Sequence, residues 1–221
     1  MKLTPDHFSK IIHNFNALRP ILVIGDLGVD KYTLGEVKRI SPEAPVPVLE
    51  VFKEWNKLGL TANVSDNLKS LGVSSTISGV TGNDSKADLL ESLLEEMDLK
   101  TWGLIRDEGR HTTYKERITT SSQQICRIDY ETKDYISEVI CRRLLNRFED
   151  FIPNHSGVIL EDYGKGLFSE KLCQEIISTC QEKKLPVAVD PSRTTPPQWY
   201  KGASLLKPNK DEAQIICQSL G

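Results

Sequence analysis

The stretch GVILEDYGKGLFSEKLCQEIISTCQEKKLPVAVD, Gly157 to Asp190, decides the fold. It reads as a buried strand running into a polar loop, a helix from Ser169 onward, and a second short apolar strand that also ends in an aspartate. The same alternation lies on either side of it. "ILVIGD" from Ile21 is an apolar strand, "SSTISGV", "KADLLESLLEEM" and "WGLI" give strand, helix and strand, and "SEVICRRLLNRFEDF" is a helix. "ASLLKPN" and "KDEAQIICQSL" then follow as strand and helix. Repeated strand–helix units predict an α/β fold with a mostly parallel sheet flanked by helices on both faces. Ahead of them, Thr4 or Pro5 opens a short helix with Phe8, Ile11, Ile12 and Phe15 on one side, delivering the first core strand. A further helix is expected across Leu60–Leu71, with Leu60, Val64, Leu68 and Leu71 at helical spacing.

Two regions break this rhythm. Residues of about 33–55 and 111–130 have strand character without a helix of their own, and Ser121 with Ser122 makes a turn in the second. They predict a small antiparallel β-sheet beside the main one. The prolines at 42, 45 and 47 in "RISPEAPVPVLEV" cannot donate ladder hydrogen bonds and suit the edge or entry of such a sheet.

Composition narrows the partners. The 221 residues are 38% hydrophobic, enough for a buried core, and Lys plus Arg total 28 against 31 Asp plus Glu, a net charge of -3. The basic residues form no stripe that could follow a phosphate backbone, so nucleic acid is not an expected partner. Cys126, Cys141, Cys173, Cys180 and Cys217 show no CxxC spacing and the four His lie far apart, which points to neither a disulfide framework nor a zinc site. No run of about 18 apolar residues exists, so no membrane partner is expected, and the chain is expected to be cytoplasmic.

Strand after strand ends in a polar cluster: "ILVIGDLGVD", "ISGVTGND", "VILEDYGKG", "VAVDPSR", "LLKPNKDE". In open α/β sheets ligands bind beyond the carboxyl ends of the strands, so these ends together describe a polar crevice. Any one of the acids could instead cap the next helix.

The elements "GDLGVDKY", "RISPEAPVPV", "GLTANV", "GVTGND", "QQICRIDYE", "LEDYGKG", "VDPSR" and "KPNKDE", in this order, resemble the ribokinase-like (PfkB) sugar kinases, and within them the kinases of heptose 7-phosphate. The likeness runs from Ile21 onward, with "RISPEAPVPV" and the "QQ...R.D" element as its specific parts. It implies a partial ribokinase-like kinase domain over residues 1–221, with the small sheet as a lid over the sugar that pairs two subunits as a homodimer. It implies ATP and magnesium as cofactor and ion, and a sugar phosphate as substrate.

Residue by residue, the resemblance implies that Asp30 accepts hydrogen bonds from sugar hydroxyls, that Gly59 lets the backbone approach the sugar, and that Asn63 binds a hydroxyl. The family usually has a glycine pair there, and this chain puts Leu60 and Thr61 after Gly59, which would crowd the sugar or demand a rotated backbone. Lys115, Arg117 and Arg127 would meet the sugar's phosphate dianion, with Lys115 and Arg117 on one strand face. Gln123, Gln124 and Asp129 would bind hydroxyls or support the lid. Asp162 would face substrate and Lys165 phosphate, while Asn209 and Glu212 would hold the magnesium shell of the nucleotide. Those two residues also have the spacing of a capping box.

The family draws its catalytic base and anion hole from a Gly-Ala-Gly-Asp element, which these 221 residues do not contain. The chain alone is therefore expected to be inactive. Two readings follow, the front part of a heptose phosphate kinase and a shortened relative that binds a sugar phosphate or dimerises. A dinucleotide-binding domain is disfavoured, because "GDLGVDKY" lacks Gly-x-Gly-x-x-Gly spacing.

Overall fold

The computed structural model describes residues 4–15 and 17–220. Six parallel strands form the main sheet in the order β10-β9-β8-β1-β4-β5: β1 (Ile21–Gly25), β4 (Ser75–Gly82), β5 (Leu104–Asp107), β8 (Gly157–Glu161), β9 (Val187–Asp190) and β10 (Leu205–Leu206). The opening stretch folds as read, with α5 (Glu170–Glu182) crossing between the parallel neighbours β8 and β9. Ser169 starts that helix by accepting the Leu172 N–H at 3.2 Å.

Both faces of the sheet are covered. Leu22 and Ile24 of β1 join Leu160, the α5 residue Ile176, and Leu144 and Phe148 of α4 (Glu138–Phe151) in one buried cluster. Leu27, Val29 and Ile77 join Leu90 and Leu94 of α3 (Ser85–Glu96) in a second. At roughly 25 cal/mol per Å² of apolar surface withdrawn from water, these two layers are the main source of stability.

A second sheet stands off the carboxyl edge of the first. Its order is β3-β2-β6-β7: β2 (Leu27–Ile40), β3 (Pro47–Leu60), β6 (Thr113–Thr119) and β7 (Gln124–Tyr130). The two hairpins β2–β3 and β6–β7 are antiparallel, but β2 and β6 pair in parallel, so the sheet is mixed where the sequence pointed to an antiparallel one. The reason is geometric. β2 continues from β1 and β6 follows β5, two parallel strands of the main sheet, so both leave in the same direction. "GDLGVDKY", the polar end of the first apolar strand, is itself mostly strand, with Asp26 alone separating β1 from β2.

Two helices differ from the sequence reading in the side they bury. The helix α2 (Thr61–Ser70) hides Thr61, Ala62 and Ser65, while Leu71 just beyond it is 52% exposed. Its first turn lies so close to β1 that a methyl on Gly25 would come within 2.3 Å of the Thr61 hydroxyl, which excludes a bulky buried stripe. The helix α1 (Pro5–Phe15) buries none of its residues, and Phe8 is 52% exposed. The chain enters α2 through Leu60, whose φ of 53° and ψ of -132° lie where glycine is at ease and other residues are strained.

Candidate active site

From β1 the chain moves to β4 and β5 on one side and then to β8, β9 and β10 on the other. The connections therefore diverge between β1 and β8, the place where such sheets leave a crevice. Asp26 stands at the end of β1 and Asp162 at the end of β8. The Asp26 carboxylate is buried, and its Oδ2 accepts the N–H groups of Tyr163 at 3.0 Å and Lys165 at 3.2 Å. Burial, and next the charge of Asp162, push its pKa up to about 6. The turn it holds passes through Gly164 and Gly166 at φ 66° and 84°, which only glycine adopts without strain.

Asp162 is also taken up within the protein. Its Oδ2 accepts from the Tyr200 hydroxyl at 2.6 Å and the Thr195 hydroxyl at 2.7 Å, and its Oδ1 from the Gly164 N–H at 2.7 Å. The Lys165 ammonium, implied by resemblance to face phosphate, pairs with Glu131 at 2.5 Å, and Lys133 approaches the same carboxylate at 3.1 Å.

Beyond β8, β9 and β10 lies an open cleft of about 680 Å³. Glu161 and Asp190, partners on adjacent strands, line it with Lys207, Asn209 and Glu212. Lys207 binds Asp190 at 2.7 Å. Burial first, and then the charge of Asp190, raise the Glu161 pKa to about 7. Asn209 and Glu212 do form a capping box for α6 (Lys210–Leu220): Glu212 N–H donates to Asn209 Oδ1 at 3.0 Å and Asn209 N–H to Glu212 Oε2 at 2.8 Å. Among the described residues no group of three or more His, Cys, Asp or Glu is gathered to ligate an ion directly. The hard oxygens around the cleft suit a magnesium ion that keeps its own waters and sits on nucleotide phosphates.

The second sheet carries the remaining residues. Asp30 lies inside β2, with Lys57 of β3 and Lys115 of β6 as register partners. Arg117 reaches it at 2.7 Å and stacks its guanidinium over Tyr32, 5.3 Å from the ring centre. Lys115 is half-buried, and burial, and next the charge of Lys165, lower its pKa. Gly59 lies against this group, where a methyl would meet the Asp30 carboxyl carbon at 3.2 Å. Arg127 is held by Asp129 through Nε at 2.8 Å and Nη2 at 3.0 Å. Asn63 and Gln124 are exposed. Asp30, Gly59, Lys115 and Arg117 thus share one neighbourhood, with Lys165 close enough for its charge to act on Lys115.

Asp26, Arg110, Glu131 and Glu161 were not singled out in the sequence. Each lies at a strand end or in a loop, and its role depends on a partner far along the chain. The only signal for Asp26 was its position after an apolar run, shared with every acid that merely caps a helix.

A doubly wound sheet with a strand-end crevice and a second sheet standing over it defines a ribokinase-like α/β protein. The chain superposes on ribokinase from Arabidopsis thaliana complexed with ribose and ATP with a TM-score of 0.64, at 16% identity over 90% of this chain and 62% of that one. On phosphofructokinase-2 from Escherichia coli, in its tetrameric inhibited form, the TM-score is 0.69 at 18% identity over 91% and 64%. At these identities the likeness is one of fold. The chain belongs to the pfkB family of carbohydrate kinases, whose model matches residues 35–221. Among curated relatives it is 43% identical to the bifunctional protein HldE of Sulfurimonas denitrificans over 92% of this chain and 42% of the relative. It is 41% identical to the HldE of Helicobacter pylori strain HPAG1, over 89% and 42%. The chain therefore spans about two fifths of the length of these relatives.

Proposed function

We propose that this chain carries the sugar-binding part of a kinase that moves the γ-phosphate of ATP to the anomeric hydroxyl of D-glycero-D-manno-heptose 7-phosphate, on the way to ADP-heptose and the lipopolysaccharide core. The observation that carries it is the joining of Asp30, Arg117 and Lys115 on neighbouring strands beside the β1–β8 crevice. Asp30 offers an ionised acceptor to hydroxyls, and Lys115 and Lys165 offer ammonium groups to a phosphate dianion. Likeness to the HldE proteins and the "RISPEAPVPV" and "QQ...R.D" elements support the choice of sugar.

The second sheet is the lid in this reading, and its exposed Ile40, Val51 and Phe52 favour pairing with another copy. Asn209 and Glu212 would orient the waters of magnesium, which when bound with ATP neutralises charge on the transferring phosphoryl group. Tyr163, Gly164 and Lys165 would close the inner wall against the sugar. The anomeric oxygen gains the phosphoryl group as the bond to ADP breaks. The family places acceptance of its proton on the Gly-Ala-Gly-Asp element.

The test is calorimetry of sugar binding by this chain, beside ADP release with magnesium, ATP and heptose 7-phosphate, fructose 6-phosphate or ribose by a version extended through the Gly-Ala-Gly-Asp element. Asp30→Ala and Lys115→Ala should each weaken heptose 7-phosphate binding by about 1.5 to 3 kcal/mol. Unchanged affinity in both variants would remove these residues from the site, and faster turnover of ribose would remove the phosphate from the substrate.

A further inference from the structure

Asp26 is buried between three elements and bonds to two of them. Its backbone carbonyl accepts the first N–H of α2, from Thr61 at 3.1 Å, and its carboxylate accepts the N–H groups of Tyr163 and Lys165 beyond β8. Arg110, from the loop between β5 and β6, reaches the same turn from the other side. Its Nη2 donates to the Lys165 carbonyl at 2.6 Å and to the Thr132 carbonyl at 3.4 Å. With two left-handed glycines around it, the turn has little stiffness of its own. Its shape is imposed by Asp26 and Arg110, together with Asp162, which accepts the Gly164 N–H. No conformational freedom at Lys165 is then needed to explain why its ammonium lies beside Glu131 and within reach of Lys115.

We propose that Asp26 is the positioning residue of the Lys165 turn, fixing the ammonium of Lys165 against the sugar phosphate while its backbone fixes the start of α2 on the other wall of the crevice. This deepens the kinase reading and rests on it for the identity of the ligand. Asp26 touches no reacting atom in this arrangement. It acts through the turn, and the ionised carboxylate is the form that holds both N–H groups. Asp162 at the end of β8 opposes that form and Arg110 favours it; the Tyr163 hydroxyl faces the same group, and burial is the strongest opposing influence.

Asp26→Asn in the full chain keeps the shape and removes the charge. Amide hydrogen exchange at Tyr163 and Lys165 should speed up at least about tenfold at pH 7.5, the loss expected for two weakened charge-assisted bonds. That difference from wild type should narrow below about pH 6, where Asp26 takes up a proton. A merely structural loosening would not follow that titration. The Kd for heptose 7-phosphate, read by calorimetry, should rise about tenfold. If circular dichroism shows that Asp26→Asn does not fold, Arg110→Gln tests the turn from its other side and should raise exchange at residues 163–166. Unchanged exchange in the variant, or raised exchange with an unchanged Kd for heptose 7-phosphate, would overturn the proposal. Absence of heptose 7-phosphate binding by the wild type would overturn the sugar-phosphate reading and leave the exchange pattern to decide the clamp.

Discussion

Leu60 occupies a backbone shape that costs a side chain about 1 to 3 kcal/mol, and it does so with its side chain buried. The sequence raised the conflict, because Leu60 stands where the family has the second glycine of a pair, and the structure resolves it by rotating the backbone. The usual stability order of alanine over glycine should therefore invert here. Leu60→Ala loses the buried side chain and keeps the strain, whereas Leu60→Gly loses both, so the glycine variant should be more stable than the alanine variant by about 1 kcal/mol. Urea unfolding of the two decides it, and the ordinary order would show that position 60 is not held at positive φ in solution.

At the scale of elements, His155 fastens the turn after α4 to β4 of the main sheet. Its Nδ1–H donates to the Phe151 carbonyl at 2.5 Å, and its Nε2 lies 2.8 Å from the Thr76 hydroxyl of β4. Burial lowers its pKa. The unfolded chain takes its proton first, so this contribution to stability is whole above the unfolded value near 6.5 and declines as pH falls, by at most about 1.4 kcal/mol per pH unit. Urea midpoints from pH 7.5 to 5 should drop in the wild type more steeply than in His155→Gln, and parallel curves would sink the assignment. Elements of this layer were legible where the signal is local, as in the apolar runs of β1 and β8 and the serine cap of α5. They were not where it is distant. Nothing near Gly28 or Thr113 announces that β2 and β6 pair in parallel, and the leucine spacing of α2 concealed a buried side made of Thr61, Ala62 and Ser65. The site divides in the same way: Asp30 stands out by motif and Lys115 by sharing a strand face with Arg117, whereas Asp26 is recognised only through Tyr163 and Lys165, more than a hundred residues on.

For the whole molecule, the crevice is a place where stability is given up. Glu161 is raised from 4.5 to about 7 by burial beside Asp190, so the folded state holds a proton that the unfolded state has released between those values. Its stabilising effect is present below the unfolded value and is lost as pH rises through about 7, opposite in sign to that of His155. Glu161→Gln should accordingly stabilise the protein by about 1 to 3 kcal/mol at pH 8 and by little at pH 4.5, read from thermal midpoints at the two values. Equal shifts at both would mean that Glu161 is not buried beside Asp190 in solution. The single residue between β1 and β2 has a mechanical meaning as well. Tension applied at the Ser41–Val46 turn would travel down β2 straight into β1, loading it lengthwise in shear against both β8 and β4, and down β3 into the first turn of α2. The outlying sheet is thus less a flap on a pin than the free end of a lever rooted in the central strand, and bending it strains the middle of the protein.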